Sequence, residues 1–147
     1  MTRWLVALIA AVWFLLGCAS SRQSGESADL QMWVGTWQGM ALQENRSEPP
    51  RQWILVLSLN KNRLSGVMSD DRGEMRRKKV ENLKLVDGEL YFTVSHETSR
   101  GLQMDCRHRA HLQDDILLSH FDGREGGRAF EGKWEARKTA SAAEAKQ

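Results

Sequence analysis

The 147-residue chain has few of the features that brace a small domain and few that mark an enzyme. It holds only two cysteines, Cys18 and Cys106, so there is no disulfide framework and stability must come from an apolar core. Its two prolines fall together at Pro49-Pro50 and make a single break. Net charge is only +2, from 21 Lys+Arg against 19 Asp+Glu, which leaves no overall basic field for nucleic acid. A charged fraction of 27% beside 41% hydrophobic residues argues against wholesale disorder. The length admits one compact domain with extras and no multidomain enzyme. No Gly-x-Ser-x-Gly elbow, His-Glu-x-x-His pair or phosphate-binding loop ahead of a helix occurs. No catalytic residue is therefore assigned, and no cofactor is implied.

At the start of the chain, Arg3 precedes an unbroken apolar run from Trp4 to Leu16. At 1.5 Å per residue the run covers about 20 Å, short of the roughly 30 Å that a membrane-spanning helix must cross. It reads as the apolar region of a signal peptide. Leu15-Leu16-Gly17-Cys18 resembles the lipobox of bacterial lipoproteins. That resemblance implies a signal helix over residues 1–17, cleavage before Cys18, and acylation of Cys18. Two or three acyl chains, at about 0.8 kcal/mol for each buried methylene, hold a protein at a membrane that one chain would leave. Ala19 stands where inner-membrane retention signals of the family commonly carry Asp. The implied location is the outer membrane, facing the periplasm. Residues 18–30, Ser-rich and polar after Cys18, read as a flexible tether, and residues 139–147 as a frayed tail.

With Cys18 acylated, Cys106 is left without a partner and reads as a small buried hydrophobe. Across residues 31–138 the periodicity is two, broken by short polar turns, with no sustained helical stripe. The spacing predicts a first strand from Trp33 to Met40. A hairpin at Lys61-Asn62 sets Leu59 against Leu64, Leu57 against Gly66 and Leu55 against Met68. A second, at Asp87-Gly88, sets Leu85 against Leu90, Leu83 against Phe92 and Glu81 against Val94. A third, at Asp114-Asp115, sets Leu112 against Leu117, Ala110 against Ser119 and His108 against Phe121. The last strand, with Phe130, Gly132, Trp134 and Ala136 on one face, follows a Gly-rich turn at 123–127. The fold class is all-β: an antiparallel meander of about seven or eight strands that avoids exposed edges by closing into a small barrel. At that size the interior is either filled by side chains or holds one small ligand, and strand counting does not separate the two.

Gly35-Thr36-Trp37-Gln38-Gly39, the regular hairpins and the closing Gly132-Lys133-Trp134-Glu135-Ala136-Arg137 resemble the lipocalin-like small β-barrels of bacterial lipoproteins and secreted proteins. The resemblance implies an apolar small-molecule ligand or a scaffold role. It also implies that Trp37 packs across the barrel floor with Arg137 as its basic partner.

Four features carry candidate chemistry. His108 and His111 sit on opposite faces of a strand, and His96 falls near Leu102, so no three ligands gather around Cys106 and no metal site is assigned. Asp70-Asp71 and Asp114-Asp115 belong to turns, where Asp caps the backbone. Arg76-Arg77-Lys78-Lys79, with Arg72 nearby, is a solvated loop whose functional alternative is contact with anionic head groups or lipopolysaccharide phosphates. The inward face containing Trp53, Leu55, Leu57, Phe92, Met104, His108 and Phe121 is the expected lining of a ligand cavity. The expected function is therefore a membrane-anchored, non-catalytic barrel that binds a small apolar or amphipathic molecule. The alternative is a solidly packed envelope scaffold or protein-interaction module, including an enzyme inhibitor that presents the loop from Glu44 to Pro50.

Overall fold

The computed structural model describes residues 29–44 and 47–139. The expected signal peptide, Cys18, the tether up to residue 28 and the tail from residue 140 lie outside the described residues. Nine antiparallel strands form one sheet: β1 (Gly35–Gln43), β2 (Arg51–Asn60), β3 (Arg63–Asp70), β4 (Lys78–Lys79), β5 (Glu81–Val86), β6 (Glu89–Glu97), β7 (Gln103–Gln113), β8 (Ile116–Glu125) and β9 (Arg128–Thr139). Their order is β4-β3-β2-β1-β9-β8-β7-β6-β5, so first and last strands pair and the sheet rolls into a nearly closed barrel. The seam falls between β3 and β5. The chain itself crosses it: β4 pairs with β3, the Val80 amide donates to the Gly66 carbonyl, and Glu81 then opens β5. No helix among the described residues is long and apolar enough to cross a membrane.

The hairpins at Lys61-Asn62 and Asp114-Asp115 have the expected registers throughout, with positive φ at all four turn residues, as type I′ turns require. At Asp87-Gly88 the pairing holds for Leu85 and Leu90, but Glu81 faces Thr93 instead of Val94. The cause is a bulge after Glu81, where Asn82 takes a φ of 52° and its side-chain Nδ2 donates to the Thr93 hydroxyl.

Three further expectations need correction. The ninth strand is β4, the Lys78-Lys79 half of the basic run, which was expected to be loop. Trp33 is not in β1; it ends a helical turn over residues 29–33, is buried, and its carbonyl accepts the Trp37 indole N–H at 2.8 Å. Thr139 closes β9 instead of opening the tail, and its hydroxyl donates to the Thr36 carbonyl.

Alternation sends one face of every long strand inward. Leu55, Leu57, Met68, Leu90, Phe92, Ala110, Leu117, Phe121, Trp134 and Ala136 are almost completely buried. Outward positions differ around the barrel. On β7 they are Gln103, Asp105, Arg107, Arg109, His111 and Gln113; on β1 and the body of β2 they carry no charge, and Met40 and Leu42 are about half exposed.

Large inward rings fit because small residues face them. A Cβ on Gly132 would lie 2.2 Å from the Leu42 carbonyl oxygen and 2.4 Å from a Phe121 ring carbon. Gly132→Ala is therefore expected to reduce unfolding free energy by about 1–3 kcal/mol through overpacking, measured by urea denaturation. An unchanged midpoint would mean that β9 and β1 are not as tightly apposed as described.

Candidate functional site

The seven inward residues expected to line a cavity are all buried, but most meet each other and not a void. His108 is at the centre. Its ring stacks on Phe92 at 4.4 Å and 6° between planes, with Trp53 at 5.6 Å, Phe121 at 5.7 Å and Trp134 at 6.4 Å. Trp53 also meets Phe121 at 4.8 Å, and Phe130 extends the cluster from Phe121 at 6.3 Å. Leu55 and Leu57 pack below this layer. Among the described residues, an interior cavity of about 10 Å³ is touched by Trp53, Met104 and His108, while Leu55, Leu57, Phe92 and Phe121 do not line it.

His108 satisfies both ring nitrogens, Nε2 with the Cys106 thiol and Nδ1 with the Ser119 hydroxyl, each at 3.3 Å. Both contacts follow from sequence spacing. Cys106 lies two residues along the same face of β7, and Ser119 is opposite Ala110, the next inward residue. Burial pushes the His108 imidazole down to about 3, so it is neutral at physiological pH. Burial, aided by the Asp122 charge and opposed by Arg107, pushes the Cys106 thiol upward, so it stays protonated. That is not the environment of a reactive cysteine.

The small cavity sits at the barrel's mouth, the rim away from both chain ends. Residues 71–77, between β3 and β4, cross this rim and place Met75 inside it, 4% exposed. Asp70 holds the crossing: its amide donates to the Met75 carbonyl at 3.0 Å, and the Met75 amide donates to Asp70 Oδ1 at 3.1 Å. Arg51 bonds Glu74 at 2.6 Å and Glu48 at 2.8 Å, and the Ser99 hydroxyl donates to Glu74 at 2.7 Å. Burial raises the Glu74 carboxyl, but Ser99 and Arg51 outweigh it and the net shift is downward. His96 is shifted down, mainly by burial, with Asp70 and Glu74 opposing and Lys78 and Arg51 adding to it. Among the described residues, Gln43 Oε1, Arg51 Nε, Trp53 Nε1 and His96 Nδ1 are buried without a hydrogen-bond partner, and all four side chains line this cavity.

The remaining expected positions are dispersed. Trp37 is buried at the opposite rim, where the cation over its ring is Lys138, its register partner, with Nζ 5.1 Å from the centroid. Arg137 lies on the exposed face, between Gln38 and Ile116. Arg76 and Arg77 are exposed on the crossing segment, Arg77 with its amide bonded to the Ser69 hydroxyl. Lys78 and Lys79 follow on β4. Cys18 is outside the described residues. Imidazole, thiol and carboxylate groups do not gather in threes among the described residues. The mouth residues Gln43, Arg51, Met68, Met75 and His96 were missed by the sequence reading. The Leu55–Met68 register placed one of them, but only the crossing segment assembles them.

The two buried imidazoles make stability depend on pH. Each has a lowered pKa in the folded chain, so between the unfolded value near 6.5 and the folded one the unfolded chain holds more protons. Stability is full above about pH 7 and falls on acidification, by roughly 1.4 kcal/mol per pH unit for each proton taken up. Urea unfolding between pH 7 and pH 4 is expected to show this slope, and His108→Phe to flatten it. An equal slope in the variant would place the acid sensitivity elsewhere.

No protein-family model matches the chain, and no curated protein matches it in sequence.

Proposed function

We propose that this chain is a lipid-anchored, non-catalytic module of the bacterial envelope that works through the outside of a solid barrel. The observation that carries this reading is the filled interior. A space of about 10 Å³ holds no more than one water, whereas pockets for small molecules run to roughly 300–1,000 Å³. The apolar-ligand reading needs a hollow where Trp53, Phe92, His108, Phe121 and Trp134 stand in contact.

The anchor rests on Leu15-Leu16-Gly17-Cys18, with Cys18 as the acylated residue and the periplasmic face of the outer membrane as its location. The topology suits a tether. Gly35 and Thr139 lie at one rim, so the chain enters and leaves the barrel there, and the mouth with its basic run points the other way. In this reading Arg76, Arg77, Lys78 and Lys79 meet an anionic partner in the periplasm, each contact contributing about 1 kcal/mol near a charged surface.

Two measurements test the reading. Labelling cells with radioactive palmitate is expected to mark the wild type and not Cys18→Ala; an unlabelled wild type overturns the anchor. Native mass spectrometry with solvent extraction of the purified chain is expected to find no stoichiometric apolar molecule. A retained lipid in a one-to-one ratio would return the function to ligand carriage.

A further inference from the structure

The methionines are distributed unevenly. Of the five in the described region, Met32 and Met40 are more than half exposed on the outside. The other three, Met68, Met75 and Met104, are 0%, 4% and 5% exposed and all line the cavity at the mouth. They come from three separate stretches, β3, the crossing segment and β7. Met104 is the register partner of His96. Met68 is one inward position from Asp70, which anchors the crossing segment bearing Met75.

His96 lines the same cavity at 5% exposure, with Nδ1 lacking a hydrogen-bond partner among the described residues. A buried imidazole nitrogen without a partner calls for an explanation. Here it shares its surroundings with thioethers, which accept hydrogen bonds weakly but bind soft metal ions well. Cys106 also lines the cavity, with its sulfur bonded to His108 Nε2.

We propose that the barrel mouth is a binding site for one soft monovalent metal ion, of the Cu(I) or Ag(I) type, held by the sulfurs of Met68, Met75 and Met104 and by His96 Nδ1. A cavity of about 10 Å³ is the size of a single atom or water. Thioether ligands carry no charge and select Cu(I) over harder ions. Calcium fits poorly because no carboxylate lines the cavity, and zinc because the Cys106 thiol stays protonated and bonded to His108, whose other nitrogen is held by Ser119. The Arg51 guanidinium is on the wall, but its charge is matched by both Glu48 and Glu74, and Asp70 stands opposite Trp53 on the neighbouring strand. Met75 rides on the crossing segment, so its participation ties that segment to β3, β6 and β7. The site does not depend on acylation of Cys18 and extends the function beyond surface contact.

The test uses the full chain in detergent, in a Cys18→Ala background that leaves Cys106 as the single cysteine. Ag(I) serves as a redox-inert probe, and Cu(I) is added anaerobically in parallel. Native mass spectrometry is expected to show one ion per chain, and Zn(II) at equal concentration is expected not to displace it. Leucine nearly matches methionine in volume, so Met68→Leu, Met75→Leu and Met104→Leu preserve the packing. Each is expected to weaken binding about tenfold or more. Met32→Leu with Met40→Leu is expected to leave it unchanged. The single variants carry the test should the triple variant lose its β-sheet circular dichroism. The proposal is overturned by the absence of a one-to-one complex, by buried-methionine variants that bind like the parent, or by loss of binding in the exposed-methionine pair.

Discussion

A nearly closed antiparallel sheet of this circumference is only as wide inside as its side chains allow, and the His108 ring lies among four aromatic rings there. Its imidazole lies flat on Phe92 and within ring contact of Trp53, Phe121 and Trp134, with both nitrogens bonded to side chains. A polar ring is tolerated there because Cys106 and Ser119 each offer a partner and because the ring is uncharged. The layer divides the interior. Toward the rim where the chain enters, aliphatic side chains and the indoles of Trp33 and Trp37 fill the space; toward the mouth, polar groups and sulfurs remain. An apolar filling in one half and a small polar, sulfur-lined cavity in the other therefore meet at the same stacked layer.

Most of the fold was legible because a two-residue turn fixes register by counting. Leu59 with Leu64, Leu112 with Leu117, and His108 with Phe121 all follow from the position of the turn and the period of the strand. Counting fails where an extra residue is inserted, as at Asn82, whose left-handed backbone no polar-apolar pattern announces. It also fails at the edges of the pattern. Trp33 continues the alternation of Gly35 and Trp37 on paper, yet a helical turn brings it back over Trp37, where its carbonyl meets the indole N–H. Lys78 and Lys79 read as solvated loop from their charge alone, but the unclosed side of β3 captures them as a short strand.

The inward list was also legible, and what it meant was not. Trp53, Leu55, Leu57, Phe92, Met104, His108 and Phe121 are all interior. Whether interior residues face a hollow depends on ring orientation and on glycines such as Gly132, which admits Phe121 to the centre. The mouth was less legible still. Met68 and Met104 look like ordinary core residues in their strands, and Met75 lies in a polar segment with no periodicity. They converge because Asp70 and the Arg51–Glu74 pair draw that segment across the rim.

The pairing of β1 with both β2 and β9 has a mechanical consequence. Tension applied to the chain ahead of Gly35 runs along β1, parallel to its axis and across two full hydrogen-bonded ladders at once. Resistance is then shared among many bonds in shear, where a hairpin at a sheet edge would unzip one bond at a time. The strand by which the chain enters the barrel is thus the one best braced against being drawn out of the wall.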